Sequence, residues 1–480
     1  MGPALEPEAS EASPAASGAR VAAPYVRAFL FITSLKLLLV PCYKSTDFEV
    51  HRNWLAVCSR PVSRWYVDAT SEWTLDYPPL FGWFARLVSI AARRVDPGML
   101  TLSSAPYDSP ATTTFMRCSV IASDALLAAG AFAWVAAAGK KTNGRGKKTN
   151  GRDRQRQRAI ATILVLLNPG LLLVDHVHFQ YNGALFGLLS CALAAVRARR
   201  PVLAAALFSA LVHAKHVFAY AAPAMATHLL AFHASDDARA AEEEEDDEDD
   251  DDDGGDDDDD DDEKKNRRRR RLAFAFAATR CAQFAAVAIA VTAASFGPVV
   301  ASGTFSAMLA RLFPFGRGLS HAYWAPNAWA LYNFTDKCLA AAARKLGVGA
   351  TDAPKAHLVG GMAGHGGTGA QTHAVLPTIT PGMTFALTAL FSAPALAAHW
   401  RASRRRGRAS REYSCASRVQ PRARGGDSDD DDATHASALR VLSHATLCAF
   451  TFGWHVHEKA SLMATIPLAL ALAAGAHPPR

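Results

Sequence analysis

The sequence predicts an all-α polytopic membrane protein, on three observations. Apolar blocks of membrane-span length recur along the chain, basic clusters separate them, and one acidic run hides them in the average. Mean hydropathy is only +0.04 although half of the residues are hydrophobic. Residues 242–263 hold twenty of the 44 acidic residues, around Gly254 and Gly255. Without that run the net charge rises from +7 to about +27, and what remains reads as apolar blocks between basic loops. A block of like charge repels itself and buries no surface, so 234–271 is expected to be a disordered, charged insertion.

Predicted spans are 24–41, 115–138, 158–174, 272–296, 382–400, 436–452 and 459–476, with others at 182–197 and as a pair inside 202–233. That makes about ten spans, with lengths that suit a hydrocarbon layer roughly 30 Å thick, the shorter ones with tilt or local thinning. Their alanine content suits close helix packing. Met1 to Arg20 has no short apolar core ending in a cleavage site, so the first span is expected to act as its own insertion signal. The eight cysteines form no C-x-x-C and demand neither disulfides nor zinc; Cys42 and Cys58 are a candidate pair if their loop is luminal.

Charge sets the orientation. Lys140–Arg158, Arg197–Arg200, Lys264–Arg271 and Arg401–Arg424 are dense in Lys and Arg, and the positive-inside rule places all four in the cytoplasm. The same rule accounts for arginines at span ends without nucleic acid as a partner. With residues 1–22 as a cytoplasmic tail, the transmembrane core comprises 23–233 and 272–478 on either side of the insertion. Loops 43–114 and 297–378 then lie outside the cytoplasm, as do 174–183 and 453–459, while 401–435 lies inside. Four polar, aromatic-rich motifs found without reference to orientation share one face. One extracytoplasmic site built by several loops accounts for that.

In S-T-D-F-E-V-H-R-N-W, Asp47 and Glu49 are the acid–base candidates nearest the membrane exit, with His51 and Arg52 beside them. A helix cap or an interfacial amphipathic helix with a solvated acidic face is the competing reading. Trp54, Trp65, Tyr66, Trp73 and Tyr77 are expected at headgroup depth. Asp76 opens D-Y-P-P, an extended turn, because each proline bars helix for its predecessor. Asp175, His176, His178 and Gln180, like His455, His457 and Glu458, suit sugar or phosphate contact, core packing or a metal. Neither set is H-E-x-x-H or contains cysteine. Lys459 is either a snorkelling anchor or a cation for a lipid phosphate. His213, Lys215, His216 and Arg280 fall inside predicted spans and are candidates on that ground. Arg311 to Lys337, with Arg317 and His321 among aromatics, is expected to lie in the headgroup zone. There Asn333-Phe334-Thr335 is a formal sequon, exposed by topology but unused beside the membrane.

With S-T-D-F-E-V-H-R-N-W, S-E-W-T-L-D-Y-P-P, D-H-V-H-F-Q-Y-N-G, R-G-L-x-H-A-Y-W-A-P-N-x-W-A-L-Y-N and F-G-W-H-V-H-E-K, the chain resembles a known family. That family is the dolichyl-phosphate-glucose-dependent alpha-1,3-glucosyltransferases of the endoplasmic reticulum. The wording is nearer to members adding the second glucose to the lipid-linked oligosaccharide than to those adding the first. The resemblance implies a GT-C fold with a luminal active site. It implies inverting transfer from dolichyl-phosphate glucose to a monoglucosylated, dolichyl-diphosphate-linked oligosaccharide, with membrane lipid as surroundings and no metal or cofactor. Inversion requires one base on the attacking hydroxyl, opposite the leaving phosphate, and the family's first-loop aspartate carries over to Asp47. Phosphate or sugar contacts are expected from Glu49, Arg52, Asp76, His176, His178, Gln180, Arg317, His321, His455, His457, Glu458 and Lys459. The acidic run and the repetitive basic loop are foreign to the family pattern, and relatives continue with further spans where this sequence stops at Arg480. The neighbouring enzyme that adds the first glucose is one alternative. A lipid-linked sugar transporter is another, though it would need a polar path through the spans and repeats that the sequence lacks.

Overall fold

The computed structural model describes residues 14–137, 159–160, 162–233, 259–313, 315, 318–321, 325–347, 359–360, 373–416 and 427–473. In chain order the principal helices are α1 (Pro14–Leu38), α2 (Thr46–Cys58), α3 (Pro79–Val95), α4 (Pro110–Ser123), α5 (Ala125–Ala137), α6 (Asn182–Arg197) and α7 (Pro201–Ala214). They continue with α8 (Ala222–His228), α9 (Asp259–Ala301), α10 (Phe305–Leu312), α11 (Ala328–Lys345), α12 (Pro381–Ala416), α13 (Asp427–Phe452) and α14 (Leu462–Ala473). Two-residue strands β1 (Ser320–His321) and β2 (Val359–Gly360) pair in parallel, Ser320 opposite Val359 and His321 opposite Gly360.

Among the described residues three stretches are long and apolar enough to cross a membrane: Pro110–Ala137, Phe274–Ala301 and Pro381–Arg404. Ile163–Phe179, Asn182–Arg197 and Pro201–Ala214 are shorter apolar helices. Several boundaries differ from the sequence expectation. The first block is helical from Pro14 to Leu38 and ends in turns at Leu39 to Cys42. The block 202–233 breaks at Lys215, which adopts extended backbone (φ −149°, ψ 107°) between α7 and the 3₁₀ turn His216–Ala221. α9 begins at Asp259, inside the expected insertion; 138–158 and 234–258 lie outside the described residues.

The segment before α6 is not a regular α-helix. Asn168 caps a new turn at Pro169–Leu171, its side-chain Oδ1 accepting the Leu171 N–H at 3.2 Å. Leu172–Phe179 then widens into π-helical turns, a form that concentrates at functional sites. D-H-V-H-F is therefore the widened end of an apolar helix, not a loop beyond it.

Close helix packing is visible where α5 crosses α6. A methyl group at Gly130 would lie 2.5 Å from the Gly187 carbonyl oxygen, and one at Gly187 would lie 2.4 Å from the Leu126 carbonyl carbon. Only glycine lets the two backbones approach this far. Leu127, Trp134, Phe186, Leu189, Leu211, Phe218, Leu439, Ile466 and Leu470 form a core that joins α5, α6, α7, α13 and α14.

A second core is a finding the sequence did not anticipate. Phe48, Trp54, Trp65, Tyr66, Phe81, Met99 and Met116 pack with Phe179, Tyr181, Val299 and Met308. The indole N–H groups of Trp54 and Trp65 donate to the Thr74 and Arg60 carbonyls, both at 3.0 Å, and the Tyr66 hydroxyl donates to the Tyr77 carbonyl at 2.8 Å. These aromatics are thus buried in a folded interior and hydrogen-bonded within it. α2 is buried on nearly every side instead of amphipathic. Cys42 and Cys58 are unpaired: Cys58 is fully buried, and the Cys42 thiol faces the His176 carbonyl at 3.5 Å. Asn333 is buried rather than exposed, its amide donating to Ser320 Oγ at 2.8 Å and its oxygen meeting His373 Nε2 at 3.0 Å.

Candidate active site

Asp47 stands in the first turn of α2, where unpaired N–H groups and the helix dipole favour an anion. It is not the cap. Ser45 holds that position and sends its hydroxyl to the His178 carbonyl, fastening the start of α2 to the π-helical segment. Three donors converge on Asp47 Oδ2: Lys459 Nζ at 2.6 Å, Gln180 Nε2 at 2.6 Å and His178 Nε2 at 3.1 Å. Among the described residues nothing donates to Oδ1. Burial by itself would push the Asp47 carboxyl up. The His178 hydrogen bond and the Lys459 ammonium outweigh it and hold the group well below the usual carboxylate range.

A strained backbone brings two of those donors together. Phe179, between His178 and Gln180, has φ +94°, a region that bulky residues avoid. Its ring is fully buried, 5.1 Å from Phe48 and 5.7 Å from Tyr181 between centroids. This packing compensates the strain, and the reversal delivers His178 and Gln180 to one carboxylate.

Behind Asp47 lies a chain of polar groups. Gln180 Oε1 accepts from Asn182 Nδ2 at 2.8 Å, Asn182 Oδ1 accepts from Lys215 Nζ at 2.8 Å, and Asn182 Nδ2 also donates to Asp175 Oδ1 at 2.9 Å. The Gly183 N–H closes on Asp175 Oδ2 at 2.5 Å. Lys215 Nζ sits 5.0 Å from the Tyr77 ring centroid. Burial first, then the charges of Asp76, Asp47 and Asp175, keep the Tyr77 phenol well above its ordinary range. His51 lies within a cage of Trp54, Tyr77, Phe81, Phe179 and Tyr181, and burial lowers its pKa to about 3 against the opposing charge of Asp47. It is neutral at physiological pH.

The expected site residues divide in the structure. Asp47, His178, Gln180 and Lys459 meet, and Asp76 lies near enough for its charge to act on Tyr77 and Lys215. Glu49 and Arg52 turn into the loop interior instead. Arg52 is 0 % exposed, reaches Glu49 Oε1 through Nε at 2.8 Å, and donates from Nη1 to the Met99 and Thr101 carbonyls. Their charges are engaged in holding that loop together. His176 is also directed away: its Nε2 meets Asp124 Oδ2 at 2.8 Å, and Lys36 Nζ reaches the same oxygen at 2.5 Å. The two histidines of D-H-V-H thus serve different carboxylates, a geometry that does not chelate one ion.

His455, at φ +52°, bonds the Leu319 carbonyl through its N–H at 2.9 Å and the Gly318 carbonyl through Nδ1 at 3.0 Å, docking the H-V-H-E-K segment onto the turn before β1. His457 packs 5.9 Å from His455 between centroids and caps the 3₁₀ turn Glu458–Ser461, whose first residue is exposed. That turn presents Lys459 to Asp47. The backbone of His321 belongs to β1, and Arg317 lies outside the described residues. Neither Asn182 nor the buried Lys36–Asp124 pair that holds His176 away from Asp47 is among the sequence candidates. An aspartate inside the apolar block 115–138 and a lysine inside 24–41 were the available signals. Nothing in the spacing announced Asn182.

The sequence of residues 32–477 matches the model of the ALG6, ALG8 glycosyltransferase family. The chain is thus a helical glycosyltransferase in which three of the described apolar stretches have the length and composition of membrane spans. A probable dolichyl pyrophosphate Glc1Man9GlcNAc2 alpha-1,3-glucosyltransferase of Drosophila melanogaster is 39% identical over 91% of this chain and 69% of its own length. Proteins named dolichyl pyrophosphate Glc1Man9GlcNAc2 alpha-1,3-glucosyltransferase from Arabidopsis thaliana and Mus musculus are 37% and 36% identical, each over 92% of this chain and over 71% and 72% of their own lengths. The chain belongs to the ALG6, ALG8 glycosyltransferase family.

Proposed function

We propose that this enzyme transfers glucose from dolichyl-phosphate glucose, in alpha-1,3 linkage, to the monoglucosylated dolichyl-diphosphate oligosaccharide of N-glycan precursor assembly. It does so from about ten spans of the endoplasmic reticulum membrane, with the site facing the lumen. The names of its relatives support the acceptor and the linkage. The observation that carries the mechanism is the asymmetry of Asp47: three donors occupy Oδ2, and Oδ1 is left to receive a proton.

In this reading the acceptor hydroxyl lies against Asp47 Oδ1 and attacks the anomeric carbon opposite the lipid phosphate. The C–O bond to phosphate breaks, configuration inverts, and the hydroxyl proton passes to Asp47. A carboxylate gripped by an ammonium is a poor base. The arriving donor phosphate competes for Lys459 and for His178, and as they turn toward it the basicity of Asp47 recovers. The same cations then stabilise the leaving phosphate, which departs as an anion and needs no general acid.

The test uses purified protein in lipid nanodiscs with dolichyl-phosphate glucose and acceptors carrying zero or one glucose. Transfer to the monoglucosylated acceptor is expected, and Asp47→Asn should lower kcat by roughly 10²- to 10⁴-fold, the usual worth of a positioned base. Undiminished transfer by Asp47→Asn would remove the base from the mechanism. Preference for the glucose-free acceptor would reassign the step. Lipid movement across a bilayer without any transfer would make the protein a transporter.

A further inference from the structure

The amide of Gln180 has two orientations of nearly equal shape, and only one of them helps Asp47. With Nε2 toward the carboxylate it donates; with Oε1 toward it, two acceptors face each other at 2.6 Å. What fixes the choice is read from the ends of the chain behind it. Lys215 is a donor only, so Asn182 must turn Oδ1 to it, at 2.8 Å. The Asn182 NH₂ is thereby directed the other way, to Asp175 Oδ1 at 2.9 Å and Gln180 Oε1 at 2.8 Å. Asp175 accepts on both oxygens, the second from the Gly183 N–H. Gln180 Oε1 also faces Lys215 Nζ at 3.5 Å, leaving Nε2 for Asp47. A cation at one end and a carboxylate at the other thus set the polarity of two amides in series.

We infer that Lys215, acting through Asn182, is a positioning residue that locks Gln180 as the donor to Asp47. Gln180 differs from the other two donors in kind. Lys459 and His178 are groups that a phosphate can attract, whereas Gln180 is neutral and held from behind. When the cations swing to the leaving phosphate, Gln180 alone keeps Asp47 aimed, and a neutral donor suppresses its basicity least. This inference rests on Asp47 as the base.

The experiment uses the full chain in nanodiscs and the variants Asn182→Asp, Lys215→Met and Lys215→Arg. Asn182→Asp is nearly isosteric but replaces the donor to Gln180 Oε1 with a second carboxylate, which competes with Asp47 for Nε2 so that the Gln180 amide is no longer fixed as the donor to Asp47. Asn182→Asp and Lys215→Met should each lower kcat by roughly 10- to 100-fold, the effect of losing an orienting outer partner. The KM for dolichyl-phosphate glucose should stay within about twofold, and the acid limb of the kcat profile should move to higher pH. Lys215→Arg, which keeps a donor-only cation, should restore most of kcat. Wild-type kcat and pH profile in Asn182→Asp would overturn the inference, as would a Lys215→Met variant that raises KM with kcat unchanged, since Lys215 would then be binding donor. Should Asn182→Asp not survive purification, Lys215→Met against Lys215→Arg still decides: equal kcat in the two overturns it. Failure of the base itself is separate, because Asp47→Asn would then stay active.

Discussion

Acidification should destabilise this protein through one buried imidazole. His51 is 4 % exposed and ringed by five aromatic side chains, and its pKa is about 3 in the folded chain against 6.5 for an ordinary histidine. At pH 7.5 the group is neutral whether the chain is folded or not, so it contributes no pH dependence. Between pH 6.5 and 3 only the unfolded chain binds the proton, and stability therefore falls as pH falls. One pKa unit corresponds to about 1.36 kcal/mol, so at pH 5.0 the loss is about 2 kcal/mol. The measurement is unfolding by sodium dodecyl sulfate in mixed micelles, followed by tryptophan fluorescence at pH 7.5 and 5.0. His51→Phe keeps the ring contacts and has no proton to take up. It should lose about 2 kcal/mol of the pH dependence seen in the wild type. Identical pH dependence in the two proteins, or a protonated His51 seen by NMR at pH 5.0, would refute the reasoning.

Asp124→Asn should cost about 3–5 kcal/mol, because it strands the buried Lys36 ammonium. The double variant Lys36→Met/Asp124→Leu should be more stable than Asp124→Asn in the same micelle titration, and an additive loss would contradict the pairing. Gly187→Ala should cost about 1–3 kcal/mol, since the new methyl lies 2.4 Å from the Leu126 carbonyl carbon and α5 and α6 must separate; unchanged stability would argue against that crossing. Asn333 should carry no glycan, its amide being buried and bonded to Ser320; a mobility shift on endoglycosidase digestion that disappears in Asn333→Gln would show otherwise.

Much of the site was legible because its parts are chemically conspicuous. Apolar runs and basic loops predict that Asp47, D-H-V-H-F-Q and H-V-H-E-K share one face, and the structure joins Asp47 with Gln180 and Lys459. What could not be read is direction. Glu49 and Arg52 have the right chemistry two and five residues beyond Asp47 on the same helix, yet at about 100° per residue those offsets turn both away from the Asp47 face and into the loop interior. His176 and His178 are two residues apart, and only the π-helical turns and the reversal at Phe179 decide that one serves Asp124 and the other Asp47. Trp54, Trp65 and Tyr66 have the composition of a membrane-level belt, and composition does not reveal that they are buried in one core with Phe179, Tyr181, Val299 and Met308 from later in the chain. Lys215 falls inside the largely apolar block 202–233, and no proline or glycine at 215 marks the helix break there.

The pairing of Asp47 with Lys459 spans 412 residues of sequence, and this bears on biosynthesis. Asp47 leaves the ribosome early, with the first exposed loop. The ammonium that neutralises it arrives only after every helix up to α13 has been synthesised. Until then the first loop carries an anion whose strongest counter-charge has not been made. Docking of the 453–459 segment is thus the event that completes the charge balance at Asp47. A nascent chain stalled before that segment would hold Asp47 without the Lys459 ammonium.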